Sequence, residues 1–275
     1  MFTLNCKGRL LVIDDAIVMG IINTTPDSFY SGSRTGKTDE VLFRAEKMLN
    51  DGAAILDVGG QSTRPGSEQV GAAEELRRVI PAIEAIVKNF PDAIISVDTF
   101  YASVLKEAVA AGVGIANDVS AGSIDEELIP TVAQLKVPYV LMHMKGHPQT
   151  MQLNPTYQNV VTEVFDSLNF KIAELIKAGI NDIIIDPGFG FGKTFQHNFQ
   201  LLKNLSYFQQ LKKPLMVGLS RKATVYKTLK TTAEQALNGT TVLHTIALLN
   251  GANILRVHDV KEAVEAIKLV KECSV

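Results

Sequence analysis

From residue 17 to its C-terminal end the sequence alternates between short, β-branched apolar runs and longer segments of helical spacing, and it does so eight times. The apolar runs fall at 17–22, 54–58, 93–97, 114–116, 137–142, 183–185, 215–218 and 254–257. The helical segments fall at 38–50, 72–89, 101–111, 125–135, 157–178, 198–211, 232–250 and 260–271. Strict alternation of this kind belongs to α/β folds. In the fifth helical segment Val161, Val164, Phe165, Leu168, Ile172, Leu175 and Ile176 recur at spacings of three and four, which draws one apolar stripe along a helix. Gly52, Gly112, Gly179 and Gly251 each stand just before a strand, where a left-handed cap ends a helix.

Eight such pairs in 275 residues match a (β/α)8 barrel in number and size, with an open doubly wound sheet as the competing arrangement. The ends of the apolar runs favour the barrel. Nearly all carry a polar or reactive residue: Asn23, Asp57, Asp98, Asn117 with Asp118, His143, Asp186, Ser220, and Arg256 with His258. Ring closure gathers these at one mouth, whereas an open sheet spreads them along a line. Residues 2–14 read as a small hairpin around Lys7-Gly8, suited to plug the opposite end. No linker, repeat or low-complexity tract interrupts the chain, so residues 1–275 are read as a single domain.

With 46% hydrophobic and 20% charged residues the chain can bury a large core and is not a disordered one. Lys plus Arg number 27 against 29 for Asp plus Glu, and no basic run occurs, which argues against a nucleic-acid partner. The apolar runs are far shorter than the ~18 residues of a membrane span, and residues 1–9 lack the apolar region of a signal peptide. A soluble, cytoplasmic protein without a membrane partner is expected. Cys6 and Cys273 lie near opposite ends with no metal-type spacing and read as reduced thiols.

The stretch Asp186-Pro-Gly-Phe-Gly-Phe-Gly-Lys-Thr194 ends like a phosphate-binding P-loop but places Pro187 where that loop needs its first glycine. Proline has neither the N–H nor the positive φ that cradle a phosphate. Phe189 and Phe191 between glycines read either as part of a flexible loop or as the walls around a flat aromatic ligand. Asp98 and Asp186 each follow a buried run, and either alone reads equally well as a helix cap or a paired structural carboxylate. Together with Asn117 and Lys222 they form a set complementary to an amino-pyrimidinone edge, as in guanine or pterin. Arg64, Arg256 and His258 make a cationic group. Arg256 and His258 alternate onto one face of a strand, where they either pair with Asp259 or Asp57 or meet an oxyanion such as diphosphate. His143 reads as a group behind the site, and His147, His197 and His244 as surface or helix positions.

At this point the chain resembles the dihydropteroate synthase family across nearly its whole length. The resemblance rests on Met19-Gly-Ile-Ile-Asn-Thr-Thr-Pro-Asp-Ser-Phe29, Asp57-Val-Gly-Gly-Gln-Ser-Thr-Arg-Pro-Gly66, Ser96-Val-Asp-Thr99, Ile115-Ala-Asn-Asp118, Leu141-Met-His-Met144, the 186–193 stretch, Gly218-Leu-Ser-Arg-Lys222 and Arg256-Val-His258. It implies a pterin-binding barrel, a sulfonamide target of folate biosynthesis, that joins a pterin diphosphate to p-aminobenzoate. By carry-over the pterin meets Asp98, Asn117, Asp186, Lys222, Met142, Phe191, Gly218 and Arg256. The diphosphate meets Asn23, Arg64, Arg256 and His258, with Mg2+ on Asn23, and p-aminobenzoate meets Thr63, Pro65, Phe191, Lys222 and Ala223. Catalysis is assigned to Lys222, Arg256, His258 and Arg64, with diphosphate leaving before the neutral arylamine attacks. A homodimer is also implied, for which 243–249 offers an apolar face, although packing on the barrel explains that face equally well.

Three positions depart from the family pattern. Tyr30-Ser-Gly-Ser33 replaces the usual Ser-Asp-Gly-Gly, so Ser31 stands for an aspartate; Gln61 stands for a glutamate; and Ala223 stands for a serine that contacts the p-aminobenzoate carboxylate. The last leaves backbone amides after Lys222, and Thr224, as donors. The competing functions are a pterin-binding barrel with little catalysis, a folate barrel handing a methyl group to a corrinoid, and, in a different class, a P-loop nucleotidase or a structural barrel.

Overall fold

The computed structural model describes residues 1–25, 34–61, 69–146, 151 and 155–273. Strands β1 (Phe2–Cys6) and β2 (Arg9–Ile13) form an antiparallel hairpin in which Phe2 faces Ile13 and Cys6 faces Arg9. Its two central residues, Lys7 and Gly8, both take positive φ (55° and 88°), the turn whose twist matches a two-residue hairpin.

Eight parallel strands follow: β3 (Ile17–Asn23), β4 (Ile55–Gly59), β5 (Ile94–Asp98), β6 (Ile115–Asp118), β7 (Tyr139–Met142), β8 (Ile183–Asp186), β9 (Met216–Val217) and β10 (Ile254–Val257). Hydrogen bonds join them in the order β8-β7-β6-β5-β4-β3-β10-β9. A parallel bridge between Ile185 and Leu215, with Ile185 N donating to Pro214 O at 2.9 Å, joins the two end strands and closes the ring. The barrel expectation holds, as does the hairpin.

The helices are α1 (Arg34–Asn50), α2 (Ala72–Asn89), α3 (Ala102–Ala110), α4 (Leu128–Leu135), α5 (Val160–Lys177), α6 (Phe195–Lys203), α7 (Ala223–Tyr226), α8 (Leu237–Leu249) and α9 (Val260–Cys273). Two differ from the sequence reading. The segment read as one helix over 198–211 breaks at Asn204 into α6 and a 3-10 turn, Leu205–Leu211. Its start moves back because the Thr194 side chain caps the His197 amide while His197 caps Thr194 in return. The 232–250 segment begins as helix only at Leu237, and α7 is a separate single turn. All four helix-ending glycines sit at positive φ, between 89° and 118°. Among the described residues no helix is long and apolar enough to cross a membrane.

Because strand side chains alternate, the barrel wall sorts its residues into two cores. Outward residues such as Val18, Leu56, Val97, Leu141, Ile185 and Leu255 pack under the helices. Inward residues Met19, Ile55, Ile115, Val140, Ile184, Met216 and Ile254 form a second cluster with Leu4, Cys6, Leu11 and Ile13 of the hairpin. The hairpin is therefore the floor of the barrel.

Candidate active site

Two residues beyond most floor residues the same inward positions change character, although Met19 is followed by Ile21 and Val140 by Met142, both apolar. Ile55 is followed by Asp57, Ile115 by Asn117, Ile184 by Asp186, Met216 by Gly218 and Ile254 by Arg256. Asp98 lies beside Asn117 in the β5–β6 register, and Asn23 beside Gly59 in the β3–β4 register. One period-two step thus separates an apolar floor from a polar mouth at the C-terminal ends of the strands.

Arg256 sits at the centre of that mouth. Its Nε donates to Asp57 Oδ2 at 2.7 Å and its Nη2 to Asp98 Oδ2 at 2.6 Å, while Asn117 Nδ2 donates to the same Asp57 oxygen at 3.0 Å. Four strands are tied together by one guanidinium, two carboxylates and one amide, and the pairing offsets the large cost of burying these charges. Burial raises the Asp98 carboxyl above its ordinary range, and Arg256 opposes that rise. Burial alone would lower Arg256, but Asp57 and Asp98 outweigh it and its net displacement is upward. Asp57 Oδ1, also buried, has no hydrogen-bond partner among the described residues. Of the two partners foreseen for Arg256, Asp57 is observed and Asp259 is not. Asp259 instead holds Arg221 in a two-pronged pair, Nε to Oδ2 and Nη2 to Oδ1, both at 2.8 Å.

The 186–193 loop forms the opposite wall. Asp186 Oδ1 accepts from Gly188 N at 2.7 Å; burial raises this carboxyl and Lys222 opposes the rise. Lys222 is lowered to about 8 by burial, against the attraction of Asp186, and its Nζ donates to Phe189 O at 2.6 Å. The same Nζ lies 4.7 Å from the centre of the Phe191 ring, within cation–π range. Phe191, Met142, Phe100, Val119 and Met151 make an apolar patch of their own above the barrel. Phe189 does not share it. It is fully buried in the outer core, so of the two phenylalanines expected to wall a ligand only Phe191 lies at the mouth.

Sequence reasoning gave Lys193 no role beyond a failed P-loop. In the structure it is 2% exposed, and its Nζ donates to Gly188 O (2.9 Å), Phe191 O (3.0 Å) and His143 O (3.2 Å) and lies 2.9 Å from His143 Nδ1. This ammonium folds the loop inward around itself. A Cβ on Gly188 would come within 1.9 Å of His143 O, so glycine is required there for the close approach. Burial lowers Lys193 to about 7, and burial with the charge of Lys193 lowers His143 to about 3, so His143 stays neutral beside Lys193.

The remaining expectations fall at the rim. His258 is exposed and meets Ser220, which precedes Arg221. Gln61 spans the base of the second loop: it exchanges hydrogen bonds with the backbone of Val70 (2.8 and 3.1 Å) and donates to the buried Glu75 carboxylate at 2.9 Å. Ala223 begins α7 directly after Lys222, but Thr224 is buried with its Oγ1 accepting from Asn198 Nδ2 at 3.1 Å. Its hydroxyl oxygen is thereby tied to α6, and its proton is not used in that bond. Thr63, Arg64, Pro65, Ser31 and His147 lie outside the described residues. Among the described residues no group of three His, Cys, Asp or Glu stands together as a metal cage. The half-buried Asn23 amide at the mouth suits a hydrated cation that takes most of its ligands from a bound anion and water.

A closed (β/α)8 barrel with a polar, charge-paired mouth at its strand ends defines an enzyme scaffold of the TIM-barrel class. Residues 19–258 match the family model described as pterin binding enzyme, and the chain belongs to that family. It is similar to the dihydropteroate synthase of Haemophilus influenzae, with 44% identity over 268 residues and 97% of each chain covered. It also resembles two solved structures: a Yersinia pestis dihydropteroate synthase in a sulfonamide drug complex (TM-score 0.93, 40% identity, 99% of each chain covered) and a Xanthomonas albilineans dihydropteroate synthase with 4-aminobenzoic acid (TM-score 0.92, 42% identity, 99% of this chain and 98% of that one).

Proposed function

We propose that this mouth condenses 6-hydroxymethyl-7,8-dihydropterin diphosphate with p-aminobenzoate to give 7,8-dihydropteroate and diphosphate, the dihydropteroate synthase reaction of folate biosynthesis. The observation that carries the reading is the convergence of Asp98, Asn117, Asp186 and Lys222 around a paired Arg256 in a barrel of the pterin-binding family. These groups offer two carboxylate acceptors, an amide and an ammonium to the edge of the pterin ring, with Gly218 leaving room beside Lys222 and Met142 and Phe191 supplying apolar surface to its faces. Asn23, Arg64 and His258, with Arg256, receive the diphosphate, and Thr63, Pro65, Phe191, Lys222 and Ala223 receive p-aminobenzoate.

The chemistry follows from those positions. The C–O bond between the pterin methylene and diphosphate breaks, the electron pair leaves on oxygen, and the carbocation delocalises into the dihydropterin ring. The arylamine lone pair then forms the C–N bond and the nitrogen sheds a proton. No strong base is needed, because the amine is neutral near pH 7. Arg256 is pre-aimed by Asp57 and Asp98, so little reorganisation is required as charge grows on the leaving group. Asn23 is the residue that would hold a hydrated Mg2+ at this mouth, and such an ion would supply further neutralisation of the charge on the leaving group.

A homodimer belongs to the same proposal. Val242, Ile246 and Leu249 leave an exposed apolar face on α8 while His244 and Ala247 pack inward. Cytoplasmic placement belongs to it as well. The test is a steady-state assay with both substrates and Mg2+. One diphosphate released per dihydropteroate formed is expected, and a pterin diphosphate that binds without yielding product would overturn the reading.

A further inference from the structure

The loops that carry Lys222 and His258 are fastened to each other by the residues flanking those two. Arg221, at φ 53°, pairs with Asp259 through both prongs and donates to Ala233 O (3.0 Å) and Glu234 O (2.6 Å), while its N–H donates to Thr240 Oγ1 at 3.0 Å. This brace fixes the chain immediately after Ser220 and immediately after His258. Ser220 is 4% exposed, and its Oγ lies 3.1 Å from His258 N and 3.0 Å from His258 Nδ1.

The proton positions follow from counting. A backbone N–H only donates, so Ser220 Oγ accepts from His258 N. The hydroxyl has one proton to give, and among the described residues the two His258 nitrogens are its partners. Were Nδ1 protonated, the hydroxyl would face two donors and its own proton would be left unpaired in a buried place. With Nδ1 as acceptor the Ser220 hydroxyl both accepts and donates, and the ring proton sits on Nε2.

We infer that Ser220 is a positioning residue that holds His258 as its Nε2–H tautomer, so that the imidazole offers a hydrogen-bond donor to the leaving diphosphate. The assignment of the donor's target rests on the functional reading above; the tautomer itself does not. Ser220 touches neither substrate in this account and acts only through His258.

The test is 15N NMR of histidine-labelled enzyme, with the His258 signals assigned by their loss in His258→Gln, alongside kinetics of Ser220→Ala and Ser220→Thr. The wild type should show His258 protonated at Nε2. Ser220→Ala should add Nδ1–H tautomer and lower kcat/KM for the pterin diphosphate about tenfold, with KM for p-aminobenzoate unchanged; Ser220→Thr, which keeps the hydroxyl, should restore both. Protonation at Nδ1 in the wild type would overturn the inference whether or not any variant folds, and so would an unchanged His258 spectrum in Ser220→Ala. A wild type with the Nε2–H tautomer but no dihydropteroate formation would instead remove the functional reading and leave the tautomer standing.

Discussion

The floor and the mouth of this barrel are built on the same strands, two residues apart, and differ in almost every physical respect. The floor is wholly apolar: Ile115, Ile184 and Ile254 show no solvent exposure and meet Leu4 and Ile13 of the hairpin. The mouth, at Asn117, Asp186 and Arg256, holds buried polar and charged groups, several of them pushed away from their ordinary ionisation. Floor residues gain stability by leaving water, about 25 cal/mol per Å² of apolar surface. Mouth residues forfeit hydration and recover it through pairing, so the chain spends stability there to keep preorganised dipoles and charges. The comparison predicts that substitutions in the two layers fail differently.

The largest effect belongs to the mouth. Arg256→Ala should lower turnover about 10²-fold or more, as the loss of one transition-state contact does. It also leaves Asp57 and Asp98 buried without their cation, at a cost of about 3 kcal/mol. A turnover close to wild type in a stopped assay would remove Arg256 from the leaving-group clamp. In the floor, Ile184→Ala should lose about 2–4 kcal/mol in urea unfolding while turnover per folded molecule stays within twofold.

Acid sharpens the contrast, because His143, behind the mouth, is held neutral down to about 3. An unfolded histidine takes its proton near 6.5, so the unfolded chain binds the proton first and stability falls as pH drops from about 6.5 towards 3. By pH 5 this amounts to about 2 kcal/mol. His143→Gln should therefore gain about that much relative to wild type between pH 7 and pH 5, whereas Ile184→Ala should track wild type across the same range. A parallel course for His143→Gln would mean that the histidine is not held neutral. The smallest effect is at the rim: Ala223→Ser should keep or tighten KM for p-aminobenzoate by a few-fold, read from initial rates, and a marked loosening would show a pocket built otherwise.

The barrel was legible because its evidence is local and repeated: apolar runs of strand length, helical stripes, glycines at four helix ends and a polar residue closing nearly every run. The same repetition placed Asp98, Asn117, Asp186 and Arg256 at one mouth. What could not be read was pairing across the ring. Asp57 lies 199 residues from Arg256, and nothing in either neighbourhood chooses Asp57 over Asp259. Arg221 was passed over because its partner lies on another loop. Lys193 was judged by the P-loop it failed to complete, although its value lies in the carbonyls that its own loop folds back upon it. Phe189 and Phe191 look alike in sequence and part ways only because the loop turns between them, one into the outer core and one to the mouth.

The central claim, that one period-two step divides support from chemistry, is tested most directly on β8 by measuring Tm and kcat/KM for the pterin diphosphate in Asp186→Asn and Ile184→Ala side by side. The account predicts that Asp186→Asn loses about 10²-fold or more in kcat/KM with Tm near or above wild type, since it discharges a buried carboxylate, and that Ile184→Ala loses Tm with kcat/KM intact. Equal losses of both quantities in the two variants, or full turnover in Asp186→Asn, would contradict it.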